Sequence, residues 1–369
     1  LKFWLLAPSA WDTSTPVPPV GRAGMEKYRQ FGDGGTGVNP FVPLWSNYRS
    51  PLPVRALKVL LLGPLAVVRL SIFALALVWL ALTELLCAAI PVGLLRYPLH
   101  RAMTFAGCAT ALFALGVVPW GDALADHRRL KIAPPKAKGS NTFDAGHGAV
   151  VLANLQGLVD VLYCGLRLGP GAFVFAAAGA GQPLVQRSLL GALRRATARR
   201  PATALPSAAS DGISEVARWA AAGRRGPVVV FAEGARTNGS CVLTWKARTF
   251  QGLASFDGPP AGTALLGIEY SKGGAYTPHH TVGTAFRHIF WVCFQPWHTV
   301  RSTWLPAADV APAIKGKPQA EQMALLRTLL VRMIFGAVEV EVTAEKHQDF
   351  MAYWDASQRK GYTQQKKAR

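Results

Sequence analysis

The octapeptide Phe231-Ala232-Glu233-Gly234-Ala235-Arg236-Thr237-Asn238 presents a carboxylate, a glycine and a guanidinium almost side by side. It follows the apolar run Val228-Val229-Val230, which has strand character. A buried strand ending here would display the three groups together on one turn. Gly234 permits a sharp turn or a close backbone approach to a ligand. Arg236 offers a planar fork of donors suited to phosphate. The combination points to an anionic, phosphate-bearing ligand; the bland alternative is a surface ion pair between Glu233 and Arg236. Thr237, Asn238, Cys241, Trp245 and Lys246 extend the pattern.

A second segment, Asn154-Leu155-Gln156-Gly157-Leu158-Val159-Asp160, follows the apolar run 149–153. Asp160 falls in the first turn of the expected next helix, where a carboxylate also favours the helix dipole.

The elements that would position these groups alternate. Strand character is found at 149–153, 173–175, 228–231, 265–270 and 298–305. Helical character is found at 156–168, 184–198 and 207–223, with Ser210 as a candidate cap, and the stretch 319–338 starts as an amphipathic helix. Such alternation predicts an α/β domain. No internal repeat is visible. Residues 359–369 read as a polar, basic, solvated tail.

Ahead of this domain, the only charges from Val59 to Leu95 are Arg69 and Glu84. A bilayer core takes roughly 20 apolar residues, so the stretch is long enough for one crossing with a remainder, or for a hairpin. Pro64 and Pro91 can kink or end helices. Arg69 would have to sit near an interface and snorkel, and Trp79 and Trp120 fit interfacial positions. The apolar run 104–118 is short for a span and reads as re-entrant, interfacial or buried. The competing picture is a buried pair of core helices.

The chain has 369 residues, 50% of them hydrophobic, and 40 basic against 20 acidic side chains, for a net charge of +20. Its mean hydropathy is +0.21. The charge favours nucleic acid, an acidic membrane surface or phosphorylated ligands. No nucleic-acid motif is present, so nucleic acid is not an expected partner. The 5 cysteines, without CxxC spacing, imply neither a disulfide framework nor a zinc site. No metal and no prosthetic group is expected. Residues 1–24 carry no signal-peptide pattern and read either as an ordinary disordered N-terminus or as an extension ahead of Met25.

The Phe231–Arg236 block resembles the Phe-Pro-Glu-Gly-Thr-Arg block of the glycerolipid acyltransferases, with Ala232 for the proline and Ala235 for the threonine. That family also carries a His-x-x-x-x-Asp motif preceded by asparagine. Here the asparagine and aspartate match as Asn154 and Asp160, and Leu155 replaces the histidine. The stretch 25–41 is similar to the opening of the fungal lysophosphatidic acid:oleoyl-CoA acyltransferases, a branch in which the histidine is also missing and Phe-Ala-Glu-Gly recurs. More distantly, Asn39-Pro40-Phe41-Val42, Thr237-Asn238 to Cys241 and Leu305-Pro306 resemble lysophosphatidylcholine acyltransferases.

The resemblance implies an α/β fold with a mixed sheet flanked by helices behind an N-terminal helical membrane anchor. It implies an N-terminal cytosolic segment at 1–54, an anchor at 55–120 of one to two helices or a hairpin, an acyltransferase domain at 121–345 and a basic tail at 346–369. It implies acyl transfer from acyl-CoA, as co-substrate, to a lysophospholipid, with 1-acylglycerol 3-phosphate the preferred acceptor. By resemblance, Asn154 and Asp160 mark the transfer centre, and Glu233, Gly234 and Arg236 line the glycerol-phosphate site. Thr237, Asn238 and Lys246 rank behind them. Arg187 stands in loosely for a further arginine block.

Leucine cannot accept a proton. Three readings therefore remain: another base such as Asp160, through a water, or His147; catalysis by positioning alone; or a silent protein that keeps the fold to bind lipid or partners. The expected partners are membrane lipid, lysophospholipid and acyl-CoA. The expected place is the endoplasmic reticulum membrane or a lipid droplet. Lys366-Lys367-Ala368-Arg369 fits a dilysine retrieval signal, which requires a cytosolic C-terminus.

Overall fold

The computed structural model describes residues 27–44, 52–90, 93–133, 143, 145–177, 182–199, 212–271 and 276–367. Residues 1–24, Pro91, Ser210 and the last two residues of the dilysine segment lie outside that set, as does the side chain of Trp120.

Four short apolar runs build the centre of a mixed sheet: β2 (Val150–Ala153), β3 (Ala172–Phe175), β5 (Val228–Phe231) and β7 (Thr263–Tyr270). They lie parallel in the order β7-β2-β5-β3, so their C-terminal ends share one edge. An antiparallel β8 (His298–Leu305) pairs β7, and β1 (Val117–Leu124) pairs β8 in parallel on the outside. The other edge is β4 (Leu184–Gln186), antiparallel to β3. The strands are buried on both faces and alternate between two cores with period two. Val151, Ala153, Val229 and Phe231 enter one core, and Val150, Leu152, Val228 and Val230 the other.

The first core is covered by α1 (Leu52–Ala89), α2 (Gly93–Ala114), α4 (Leu158–Leu168), α5 (Leu189–Thr197) and α7 (Ala285–Phe294). The second lies under α6 (Ile213–Ala222), α8 (Ala307–Ile314) and α9 (Gln319–Met333). A short α3 (His127–Leu130) links β1 to the domain. The mixed sheet flanked by helices agrees with the sequence expectation.

Three local expectations are corrected. The helix expected over 184–198 is a strand followed by a helix, because Leu184–Gln186 pairs with β3 and the Ser188 side chain then caps α5 by accepting from the Gly191 amide. The Gln319 helix stops at Met333, and Val338–Glu339 (β9) pairs with Cys241–Val242 (β6) in a second sheet. The 346–369 region begins as a packed helix, α10 (Glu345–Lys367). Phe350, Tyr353 and Trp354 fall on one helical face and meet Tyr28 and Phe31, with Tyr28 and Trp354 stacked at 5.3 Å. Residues 27–44 are thus part of the fold.

The stretch Val59–Ala89, with a mean hydropathy of 2.4, is long and apolar enough to cross a membrane. Leu60, Leu61, Leu75 and Leu85 are exposed on it. Its two charges do not snorkel. The Arg69 guanidinium donates to the carbonyls of Gln295 and Pro296, the latter at 2.8 Å, just past the C-terminus of α7. The Glu84 carboxylate accepts from the Leu190 amide at 3.1 Å, in the first turn of α5. Each charge meets the helix end whose partial charge it complements. The apolar run 104–118 is divided: Cys108, Ala111, Leu112 and Leu115 are buried against the domain, and Val117 opens β1.

Candidate functional site

The two motif segments leave the C-terminal ends of neighbouring parallel strands, β2 and β5. Parallel register alone brings residues 154–160 beside residues 232–238. Hydrogen bonds then join them. Glu233 Oε1 accepts from the Leu155 amide at 3.1 Å, and the Thr237 amide donates to the Leu155 carbonyl at 3.0 Å. Glu233 Oε2 accepts from the Leu243 amide at 3.1 Å. Glu233 and Arg236 are only 2% and 4% exposed and point to different partners, so the surface ion-pair reading fails. Burial pushes the Glu233 carboxyl up to about 8, against the two amides that favour its ionised form. Gly234 has φ +72, and a Cβ there would meet Ala344 Cβ at 3.2 Å and the Ala176 carbonyl at 3.3 Å.

Asp160 is fully buried at the start of α4. Its Oδ2 accepts from the amides of Gln156 and Gly157, the latter at 2.7 Å, and its Oδ1 accepts from the Tyr270 hydroxyl. Burial raises its carboxyl to about 6, opposed by the Tyr270 bond and the two amides. That is the range of a histidine, so the weakness of a solvent-exposed carboxylate as a base does not apply. Tyr270, at the end of β7, was not anticipated. A lone tyrosine closing an apolar strand carries no sequence signal that separates it from ordinary core.

The segment between β7 and α7 crosses the same edge. The His280 amide donates to the Gln156 carbonyl at 2.8 Å, and Gly157 leaves room for Pro278 and His280 above it. Arg236 Nη1 donates to the Ala196 carbonyl at 2.8 Å and to His280 Nδ1 at 3.1 Å. Because arginine only donates, Nδ1 accepts and the proton of neutral His280 sits on Nε2. That nitrogen is buried without a hydrogen-bond partner. The His280 ring stacks on His288 at 4.5 Å. Burial and then the Arg236 charge depress His280 strongly, while burial is also the main cause of His288 and His347 falling to about 3. Arg236 falls to about 10 through burial and then the Arg195 charge. The hydroxyls of Thr237 and Thr281 are likewise buried without hydrogen-bond partners. The result is a buried cluster of hydrogen-bond donors around one guanidinium, a chemistry suited to an anion. His279 adds its ring edge-on to Tyr270 at 5.3 Å.

Other candidates take structural positions. Asn154 pairs both ways with the backbone of Ile268, donating at 2.9 Å and accepting at 2.8 Å, and so clips β2 to β7. The Asn238 side chain donates to the carbonyls of Asn39 and Val42 and accepts twice from Ser240. Its hydrogen-bonding capacity is spent on holding the N-terminal segment. Lys246 forms an ion pair with Glu345. His147 accepts from the Gly226 amide at 3.0 Å, before β2 and at the opposite end of the parallel strands from Asp160. Arg187 lies at that far end too, over Trp219. Neither joins this site. Among the described residues no cluster of ligand side chains is arranged to hold a metal ion.

No family model matches the sequence, and no curated protein matches it. Among solved structures, the crystal structure of the 1-acyl-sn-glycerophosphate (LPA) acyltransferase PlsC from Thermotoga maritima aligns over 76% of this chain and 97% of its own, at 14% identity and a TM-score of 0.41. A likeness at that level assigns no role to any residue, so function is argued from the chain's own site.

Proposed function

We propose that this protein is a membrane-associated acyltransferase that moves a fatty acyl group from acyl-CoA to a lysophospholipid, with 1-acylglycerol 3-phosphate the preferred acceptor and phosphatidic acid the product. The observation that carries the reading is the joining of Leu155 to Glu233 and Thr237. Two segments that resemble one family's two motifs, 78 residues apart in sequence, meet at one sheet edge through hydrogen bonds.

The geometry supports the following roles. Arg236 and its surrounding donors take the acceptor phosphate. Asp160, a buried carboxylate in the histidine range, is the base, reached through Tyr270. The acceptor hydroxyl attacks the thioester carbon while its proton passes to Tyr270 Oη and the tyrosine proton passes to Asp160. Collapse of the tetrahedral adduct breaks the carbon–sulfur bond, and the leaving thiolate takes the proton back. Glu233 and Gly234 shape the turn, and Asn154 and Asn238 hold the strands and the N-terminal segment around it. The apolar face of α1 and the basic surplus suit the cytosolic face of the endoplasmic reticulum or a lipid droplet, where each basic group near an anionic leaflet contributes about 1 kcal/mol.

The second reading is a catalytically silent protein that binds lipid, favoured by Leu155. Purified protein in detergent, given labelled oleoyl-CoA and a panel of lysophospholipids, separates the two. Product with lysophosphatidate that disappears in Asp160→Asn supports the enzyme. Absence of product with every acceptor, from folded protein that still binds lipid, supports the silent protein.

A further inference from the structure

A second basic cleft lies at the other end of the parallel strands. Its cavity volume is about 80 Å³, and none of the described residues lining it is acidic. Its walls come from three places. Arg96 and His100 stand one turn apart on α2, Arg187 follows β4, and Arg224 and Arg225 follow Trp219 and the end of α6. Gly171, just before β3, and Arg225, just before β5, fix its position at the N-terminal strand ends. A strand of four residues spans about 13 Å, so this cleft is separate from the Arg236 cluster.

The cleft is held in shape. The guanidiniums of Arg187 and Arg225 lie over the Trp219 ring, at 4.8 Å and 4.3 Å from its centre. Cation–π contact of this kind orients a guanidinium without neutralising it. Arg225 Nε is buried and lacks a hydrogen-bond partner. Arg224 is held at φ +47, in the left-handed region that non-glycine residues seldom adopt. Like charges gathered this closely repel. Burial, Arg96 and Arg187 together depress the Arg225 guanidinium. An anion entering the cleft relieves that repulsion and meets fork-shaped donors. On the outer side of α2, Leu95 and Leu99 flank Arg96 and His100 and are 65% and 42% exposed. Apolar surface therefore runs directly up to the charged mouth.

We propose that this cleft is a second anion-binding site, taking a phosphate group presented by an anionic lipid or by a soluble polyphosphate. The proposal does not depend on the acyltransferase reading, since it uses none of the residues of the first site.

The test is calorimetric titration of the full chain in neutral detergent with dihexanoyl phosphatidic acid, pyrophosphate and dihexanoyl phosphatidylcholine. It is run on the wild type, on Arg187→Gln/Arg225→Gln and on Arg236→Ala. A binding event that weakens at least about tenfold in the double variant, survives Arg236→Ala and is absent with phosphatidylcholine establishes the site. Tighter binding of phosphatidic acid than of pyrophosphate identifies a lipid headgroup, and the reverse order a soluble polyanion. Arg187→Gln alone, at an exposed position, repeats the reading should the double variant melt early. If both variants of the cleft, shown folded by circular dichroism, bind the two anions like the wild type, the proposal is overturned.

Discussion

The Glu233 carboxylate accepts a hydrogen bond from the backbone amide of Leu155 at 3.1 Å. The contact stitches the turn after β5 to the turn after β2 and leaves a carboxyl group sealed between them. A sealed carboxyl titrates high, and stability must follow it.

Glu233 titrates near 4.5 when unfolded and at about 8 when folded, because burial disfavours its charge. Between those values the folded state holds the extra proton, so stability is full below about 4.5 and falls as pH rises through about 8. Asp160 adds the same sign between 3.8 and about 6. Buried His280, His288 and His347 act with the opposite sign up to the ordinary histidine range. The melting temperature should therefore decline above about pH 7.5, where Glu233 alone of these still titrates, and Glu233→Gln should flatten that decline. A wild-type melting temperature that climbs with pH over that range would contradict the assigned burial effect.

Catalysis should show the opposite sense of pH. The base works only when Asp160 is ionised, so kcat/KM should rise with an apparent pKa near 6. Tyr270→Phe should lower kcat by about 10²–10⁴ with KM little changed. Equal kcat for Tyr270→Phe and the wild type would remove the tyrosine from the proton path.

Arg236→Ala and His280→Ala should weaken recognition of the phosphate. Charge-assisted hydrogen bonds are worth roughly 1.5–3 kcal/mol, so KM for lysophosphatidate should rise about ten- to hundredfold. An uncharged monoacylglycerol acceptor should be affected far less. Parallel losses for both acceptors would indicate a structural role for the pair instead.

Gly234→Ala should destabilise the protein by about 1–2 kcal/mol, the cost of a left-handed backbone for a residue with a Cβ, to which the approach of Ala344 Cβ at 3.2 Å adds. Differential scanning calorimetry reads the shift. An unchanged transition would mean that the turn relaxes freely.

Arg69→Ala should cost about 1 kcal/mol by uncapping α7 and should loosen α1 from the domain, visible as faster proteolysis between α1 and β1. Glu84→Ala should do the same at the start of α5. Protease patterns identical to the wild type would show that apolar packing alone holds α1.

Much of the fold was legible in the chain. The runs 150–153, 172–175 and 228–231 are short, apolar and rich in β-branched or aromatic residues, and they form strands. Such patterns are local, because a strand buried on both faces must be apolar throughout. Where the expectation missed, the deciding partner was remote in sequence. Leu184–Gln186 reads as the start of a helix until β3 offers an antiparallel edge. The aromatic residues of α10 read as part of a tail until Tyr28 and Phe31 cover them.

By itself, the sequence determined the α/β alternation, the long apolar helix, the basic surplus and the two short segments that carry chemistry. Those depend on side-chain type and near-neighbour spacing. Tertiary structure decided which residues meet. It paired Tyr270 with Asp160, set His280 on Arg236, sent Arg69 and Glu84 to helix ends, and moved His147 and Arg187 to the far end of the strands. Hydrogen bonding and burial act through distances of a few ångströms, and only the folded chain brings residues separated by a hundred or more positions within that reach.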